Sequence, residues 1–174
     1  MKNRMNATLT SIILVCTLLV VFTGSSFAQE NPIYQLSDHS ESNRQSMSRS
    51  TNAVISYPED LLYDLEPSIY IKNNQIVEVT EGQAPKVLKL KDVNSFNILS
   101  SNNDLFKRVE MITINIQSAS DLSRPFNVDN IRGFGSLKYI YLKCESAVSE
   151  IQIRNFIQQA DSEISIFYKI FNRS

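Results

Sequence analysis

The chain has 174 residues, of which 43% are hydrophobic and 20% are charged, and its formal net charge is −1 at pH 7. This composition lies close to a globular average of about 45–50% apolar and about 25% charged residues, which argues against wholesale disorder. Only four Gly and five Pro exclude collagen-like and proline-rich scaffolds, and the near-zero charge argues against a nucleic-acid-binding protein.

The first thirty residues resemble a secretory signal. Two basic residues precede an uncharged apolar run, Leu9 to Phe22, and small residues occupy the −3 and −1 positions before Gln29. The strongly apolar part of the run is shorter than the roughly 20 residues that an uncleaved membrane anchor needs. We therefore predict that residues 1–28 are a signal peptide cleaved after Ala28, that the protein is a secreted or periplasmic bacterial protein, and that it has no membrane span once the signal is removed.

A polar, serine-rich stretch follows the predicted signal. Six of the eighteen residues in 35–52 are Ser, and few are apolar. Such a stretch buries too little apolar surface to offset its ordering entropy, so residues 29–52 are predicted to be a flexible arm ahead of a single globular domain, 53–174. The only histidine of the chain, His39, lies in this arm without a neighbouring ligand cluster, which favours a solvated side chain over a catalytic base or a metal ligand.

Two local elements are predicted between residues 57 and 79. Pro58 and the two acidic residues after it suit the first turn of a short helix. Apolar residues alternate on both sides of Asn73-Asn74, a pair that tolerates the positive φ angles of a type I′ turn. The sequence therefore predicts a β-hairpin over 68–79.

Beyond residue 80 the chain contains a degenerate repeat. The frames Val109-x-x-Ile112-x-Ile114 and Leu137-x-x-Ile140-x-Leu142 lie 28 residues apart, and shorter copies lie 24 residues before and after them, at Leu88-x-Leu90 and Ile164-x-Ile166. Such spacings fall within the range of about 20–29 residues of one class of solenoid repeat.

This frame resembles the strand of a leucine-rich repeat, L-x-x-L-x-L followed by x-x-N, over about residues 84–174. Gln117 and Glu145 stand where that family uses Asn or Cys, and Pro85 and Asp161 stand at the leading Leu of the first and last copies. The resemblance implies an α/β fold in which the hairpin is followed by a short repeat-like parallel sheet with intervening helices. It also implies that the concave strand face of this sheet binds other proteins. A single two-layer α+β domain with evenly spaced strands is the alternative.

A helix is predicted between the last two strands. Residues 147–160 place several apolar side chains on one helical face, and Ser146 or Ser149 can cap its start. A helix between two strands makes a crossover, so 139–144 and 163–170 are predicted to be parallel neighbours.

Strand alternation predicts two faces of the sheet. The inward face carries apolar residues: Ile112, Ile114, Ile116, Ile140, Leu142, Cys144, Ile164, Ile166, Tyr168 and Ile170. Cys144, the single cysteine left after signal removal, is thus predicted to be a buried apolar group. The opposite face carries Met111, Thr113, Asn115, Tyr139, Tyr141, Lys143, Ser165, Phe167 and Lys169. In repeat register, Thr113, Tyr141 and Ser165 form one row, and Asn115, Lys143 and Phe167 form the next.

Part of this opposite face is the candidate binding face, because aromatic side chains are enriched at interface cores. Its residues are Thr113, Asn115, Tyr139, Tyr141, Lys143, Phe167 and Lys169. The alternative is that a helix or the N-terminal hairpin covers this face and makes its aromatic side chains a second core layer.

Few features of the sequence point to catalysis. A nucleophile–histidine pair would have to recruit His39 from the arm, and the chain has neither a Gly-rich phosphate loop nor a His/Cys zinc cluster. We therefore predict no enzymatic activity, no cofactor and no metal.

The predicted function is an exported binding module that recognises a protein or an envelope polymer, and not a nucleic acid, through its strand face. The alternatives are a small secreted hydrolase with a carboxylate pair and a structural or assembly component of the cell envelope.

Overall fold

The computed structural model describes residues 31–36, 58–63 and 66–171. They form a mixed α/β structure around a mostly parallel seven-stranded sheet. The predicted signal peptide, residues 37–52 of the predicted arm and His39 lie outside the described residues.

The strands are short and are joined mainly by 3₁₀ turns. In chain order they are β1 (Ile33–Leu36), β2 (Ser68–Lys72), β3 (Gln75–Val79), β4 (Val87–Leu90), β5 (Met111–Ile116), β6 (Phe126–Asn127), β7 (Tyr139–Cys144), β8 (Ile157–Gln158) and β9 (Ser165–Ile170). The α-helices are α1 (Glu59–Leu62) and α2 (Glu150–Phe156). The 3₁₀ helices cover Val93–Ser100, Asp104–Phe106, Ala119–Ser123 and Val128–Asn130.

The large sheet has the order β1-β9-β7-β5-β4-β2-β3. The strands β2, β4, β5, β7 and β9 lie side by side in this order and are all parallel. The hairpin strand β3 pairs with β2 in the antiparallel direction at one edge of the sheet. Leu88, Ile112, Ile140 and Ile166 align across four neighbouring strands. The α/β class, the hairpin and the parallel pairing of β7 with β9 are therefore confirmed.

Local sequence signals account for the turn and the helix starts. Asn73 and Asn74 have φ angles of 52° and 58°, the left-handed values that a type I′ turn requires. Ser149 caps α2 and exchanges hydrogen bonds with Gln152 in a capping box. The short helix α1 begins at Glu59, directly after Pro58.

The register of β9 differs from the prediction. Ile140 lies opposite Ile166 and Tyr141 opposite Phe167, so the rows inferred from a spacing of 24 residues were wrong by two positions at this strand. A slip of two residues leaves every side chain on the same face, and the apolar alternation of the strand therefore fits both registers. The turn before β9, in which the Ile164 N–H donates to the Asp161 carbonyl, takes up the two extra residues.

Part of the predicted arm belongs to the sheet. Residues 33–36 form β1, which lies parallel to β9, and the Ile166 N–H donates to the Pro32 carbonyl at 2.9 Å. The Asn31 side chain donates to the carbonyls of Asp161 and Ile164. The prediction of a flexible arm was therefore wrong for residues 33–36. These residues are ordered by backbone pairing with the open edge of the sheet, an interaction that their own composition does not reveal.

The larger core lies on one face of the sheet. The predicted inward residues line it, with Ile170 only partly buried, and connecting segments cover them through Val93, Leu99, Phe106, Phe126, Ile153 and Phe156. Cys144 is fully buried here, as predicted. Burial raises the pKa of its thiol to about 12, which keeps the thiol protonated at neutral pH.

Candidate functional site on the second face of the sheet

The face opposite the larger core carries three rows of side chains across the strands. The first row is Ser68, Val87, Met111, Tyr139 and Ser165. The second, here called the middle row, is Tyr70, Lys89, Thr113, Tyr141, Phe167 and Tyr34. The third, here called the lysine row, lies at the carboxyl ends of the strands and consists of Lys72, Lys91, Asn115, Lys143 and Lys169, with the apolar Leu36 of β1 next to Lys169 at the sheet edge.

Much of the middle row is buried. The side chains of Thr113, Tyr141 and Phe167 are 3%, 4% and 1% exposed. Tyr141 and Phe167 share a buried cluster with Leu61 and Leu62 of α1. These residues form a second core layer, covered in part by a helix, and this burial corrects the predicted extent of the binding face.

Aromatic contacts hold this second layer together. The ring of Phe167 lies 5.3 Å from that of Tyr34 in β1 and 6.0 Å from that of Tyr139 in β7, measured between centroids and tilted in both cases. Such tilted pairs lie within the range of stabilising aromatic geometries. The small helix α1 and the edge strand β1 are therefore both anchored on the same aromatic residues.

Four residues of the predicted face keep some exposure: Asn115, Tyr139, Lys143 and Lys169. Three of these belong to the lysine row, and Tyr139 lies at the other end of the strands. The structure adds Lys72 and Lys91, both exposed, which the sequence analysis missed. Lys91 follows Val87 and Lys89 in the alternation of β4, and Lys72 follows Ser68 and Tyr70 in that of β2. Assigning faces to β2 and β4 by the same alternation could therefore have found both lysines.

Aromatic rings lie beneath the ammonium groups of this region. Lys91 Nζ is 4.7 Å and Lys89 Nζ is 5.0 Å from the centroid of the Tyr70 ring. Lys143 Nζ is 5.8 Å from the Tyr141 centroid, and Lys169 Nζ is 5.3 Å from that of Phe171. Cation–π contacts at such distances are favourable, and they hold the ammonium groups against the rings of Tyr70, Tyr141 and Phe171.

Charges at the opposite ends of the same strands follow a different pattern. Lys86 Nζ lies 2.8 Å from Glu66 Oε1, and Lys138 Nζ lies 2.8 Å from Glu110 Oε2. The hydrogen bond to each glutamate raises the pKa of its lysine. Opposite charges on neighbouring strands stabilise a sheet, whereas like charges directly opposite one another destabilise it.

The charged side chains of the lysine row are all positive. Lys143 lies directly opposite Lys169 in the β7–β9 register, and Lys72 and Lys91 extend the same sign of charge across β2 and β4. Glu145, which follows β7 directly, is a carboxylate close to this row in the chain. The row is therefore a concentration of positive charge at one end of the sheet.

The chain matches no protein-family model, no curated protein and no solved structure. The candidate site accordingly rests on the geometry of this chain alone.

The described residues, 31–36, 58–63 and 66–171, contain no helix with the length and the apolar character needed to cross a bilayer. No group of three or more His, Cys, Asp or Glu side chains in these ranges is arranged to hold a metal ion.

Proposed function

We propose that this protein is an exported, non-enzymatic binding module that recognises a negatively charged partner, a protein or an envelope polymer, along the lysine row. The observation that carries the proposal is the placement of Lys143 opposite Lys169, in one row with Lys72 and Lys91. Four lysines in one row give this end of the sheet a positive potential, and such a potential attracts an anionic ligand.

The dimensions of the row suit an extended ligand. The row crosses five adjacent strands, β2, β4, β5, β7 and β9, and strands about 4.8 Å apart give it a length of roughly 19 Å. A ligand with regularly spaced carboxylates or phosphates would meet a lysine on four of these five strands, since β5 alone contributes a neutral residue, Asn115.

The repeat character and the export of the protein are parts of the same proposal. Consecutive strands that pair in parallel, joined by short 3₁₀ turns, are the arrangement that a leucine-rich-repeat-like chain requires, and they support that resemblance. Export is supported by the basic, apolar and small-residue pattern of residues 1–28. The absence of catalysis is supported by the single histidine of the sequence, His39, which lies in the serine-rich stretch.

The test is the binding of a deca-glutamate peptide, measured by fluorescence anisotropy at low and at high salt. The double variant Lys143→Gln/Lys169→Gln removes two charges from the lysine row. The matched control Lys86→Gln/Lys138→Gln removes two charges from the opposite ends of β4 and β7, where each lysine is already paired with a glutamate. Each exposed ion pair contributes about 0.2–1 kcal/mol, so the row variant should bind about tenfold more weakly at low salt.

The same loss should shrink as salt screens the charges, and the control should bind within about twofold of the unmodified protein. Equal weakening by both double variants would mean that net charge alone attracts the peptide, and it would contradict the proposed site. An undetectable interaction of the unmodified protein with both deca-glutamate and an anionic envelope polymer such as teichoic acid would contradict the proposed function.

A further inference from the structure

A second recess lies on the other side of the sheet, beside the larger core. It is a cleft of about 680 Å³ between the 3₁₀ helix Val93–Ser100 and the segment 124–132. This volume falls within the range of about 300–1,000 Å³ typical of small-molecule sites. The cleft is on the face opposite the lysine row, so the two surfaces are independent.

The polar lining of the cleft is unusual in composition. Among the residues that the structure describes, the lining contains two guanidinium groups and four amide side chains, from Arg124, Arg132, Asn94, Asn97, Asn127 and Asn130, and no carboxylate. Arginine presents a planar fork of N–H donors that matches a carboxylate or a phosphate. An asparagine amide has both a donor and an acceptor group, as the hydroxyl groups of a sugar require. Asn127 Oδ1 already accepts from the Asp129 N–H, so its NH₂ group is the part that faces a ligand as a donor.

The apolar part of the lining supplies a floor and a wall. Phe126 is fully buried in β6 and its ring lies 4.9 Å from that of Phe96. Phe96 is only partly buried and lines the cleft. Its ring can therefore pack against the C–H groups of a ligand while the polar side chains bind its substituents.

The two arginines are positioned by bonds that leave most of their donors available. Arg124 Nη1 donates to Asn94 Oδ1 across the cleft, and Arg132 Nη1 donates to the backbone carbonyls of Asp129 and Ile131. Within the described part of the chain, neither arginine forms an ion pair. A guanidinium has five N–H groups, so both can still donate to an anion.

The walls of the cleft are tied to the rest of the fold. The Arg132 N–H donates to the Leu99 carbonyl at 2.8 Å, which joins one wall to the end of the 3₁₀ helix opposite. Phe126 pairs with Ile157 in the small parallel sheet β6–β8. Arg132 also lines a neighbouring groove that contains Asp161 and Glu163, whereas Arg124 does not. A substitution of Arg124 therefore tests the cleft without altering that groove.

We propose that this cleft binds a hydroxyl-rich small molecule with one anionic group, an acidic sugar whose carboxylate or phosphate meets Arg124 and Arg132. The asparagine amides bind its hydroxyl groups, and the Phe96 ring packs against its apolar face. This site is separate from the lysine row and takes a small ligand in place of a polymer.

The proposal is tested with glucuronate, glucose 6-phosphate and neutral glucose, titrated into ¹⁵N-labelled protein purified from cells that produce the full chain. We expect chemical-shift changes at the amides of Asn94, Asn97 and Arg132 with one or both anionic sugars, and at least tenfold weaker binding of glucose. The comparison of glucuronate with glucose 6-phosphate assigns the anionic group as carboxylate or phosphate.

Three single variants locate the site. Arg124→Gln and Arg132→Gln should each weaken binding of the preferred sugar by about tenfold or more, because each removes charged hydrogen bonds. Arg108→Gln is the matched control, since Arg108 is also exposed and does not line the cleft, and it should change the affinity by less than about twofold.

Three results would overturn the proposal: shift changes with none of the sugars at millimolar concentration, equal affinity for glucose, or equal weakening by Arg108→Gln. The double variant Lys143→Gln/Lys169→Gln separates this site from the proposed function. It should leave sugar binding unchanged, while Arg124→Gln should leave the binding of deca-glutamate unchanged.

Discussion

Replacing Phe167 with alanine tests the second core layer most directly. The side chain is 1% exposed, and it belongs to the cluster that α1 and β1 share with the sheet. Phe171, on the same face just beyond the end of β9, is 41% exposed. Phe167→Ala and Phe171→Ala therefore delete the same group from a buried and from an exposed position.

The structure sets the size of the expected effect. Phe→Ala substitutions in a packed core cost about 3–5 kcal/mol in total, a range that already includes lost aromatic contacts such as those of Phe167 with Tyr34 and Tyr139. We expect Phe167→Ala to lower the free energy of unfolding by about 4 kcal/mol. Phe171→Ala should cost no more than about 1 kcal/mol, mainly through its contact with Lys169.

The measurement is urea unfolding followed by far-UV circular dichroism, with the slope of the transition compared between the variants. An unchanged slope would show that the loss lies in the native state and not in a change of the denatured state. A loss below about 1 kcal/mol for Phe167→Ala, or equal losses for the two variants, would refute the second core layer. It would also return Tyr141 and Phe167 to the candidate binding surface.

Two further substitutions test other parts of the fold. Burial raises the pKa of Cys144 from 9.0 to about 12, so the contribution of this thiol to stability is fully present below about pH 9 and is lost as the pH rises towards 12. Urea titrations should show this alkaline loss of stability in the unmodified protein and a smaller loss in Cys144→Ala. Equal alkaline losses in the two proteins would contradict the burial of the thiol. The native thiol should also react with a disulfide reagent at pH 8 far more slowly than the unfolded one. Ser149→Ala removes the capping box of α2 and should lower the free energy of unfolding by about 1 kcal/mol. The control Ser162→Ala, at an exposed turn position, should change it by less than about 0.5 kcal/mol. Similar effects of the two substitutions would argue against the cap.

The candidate site shows where sequence reasoning succeeded and where it failed. Alternation placed Thr113, Tyr141 and Phe167 on the correct face, because successive side chains of a strand point to opposite sides. It could not say whether that face is covered. The cover comes from a four-residue helix, and a four-residue strand extends the sheet beside it; both are too short to carry a strong pattern of their own.

Long-range pairing was equally invisible in the sequence. The cleft brings Arg124 next to Asn94, thirty positions earlier in the chain, and no local motif joins them. The lysine row is assembled from separate strands whose register only backbone pairing sets. An alternating strand such as β9 fits its neighbour in registers two residues apart equally well.

By itself, the sequence determined part of the local structure of this protein: the Asn73-Asn74 turn, the capped start of α2, and the strands β5, β7 and β9 with the face that each of their residues occupies. These features depend on φ preferences, capping chemistry and the two-residue period of a strand, all of which act between near neighbours. The tertiary structure alone decided the register of β9, the inclusion of β1 in the sheet, the burial of Phe167 and the formation of the cleft. Each of these depends on which distant segments meet, and that is set by the packing of the whole chain.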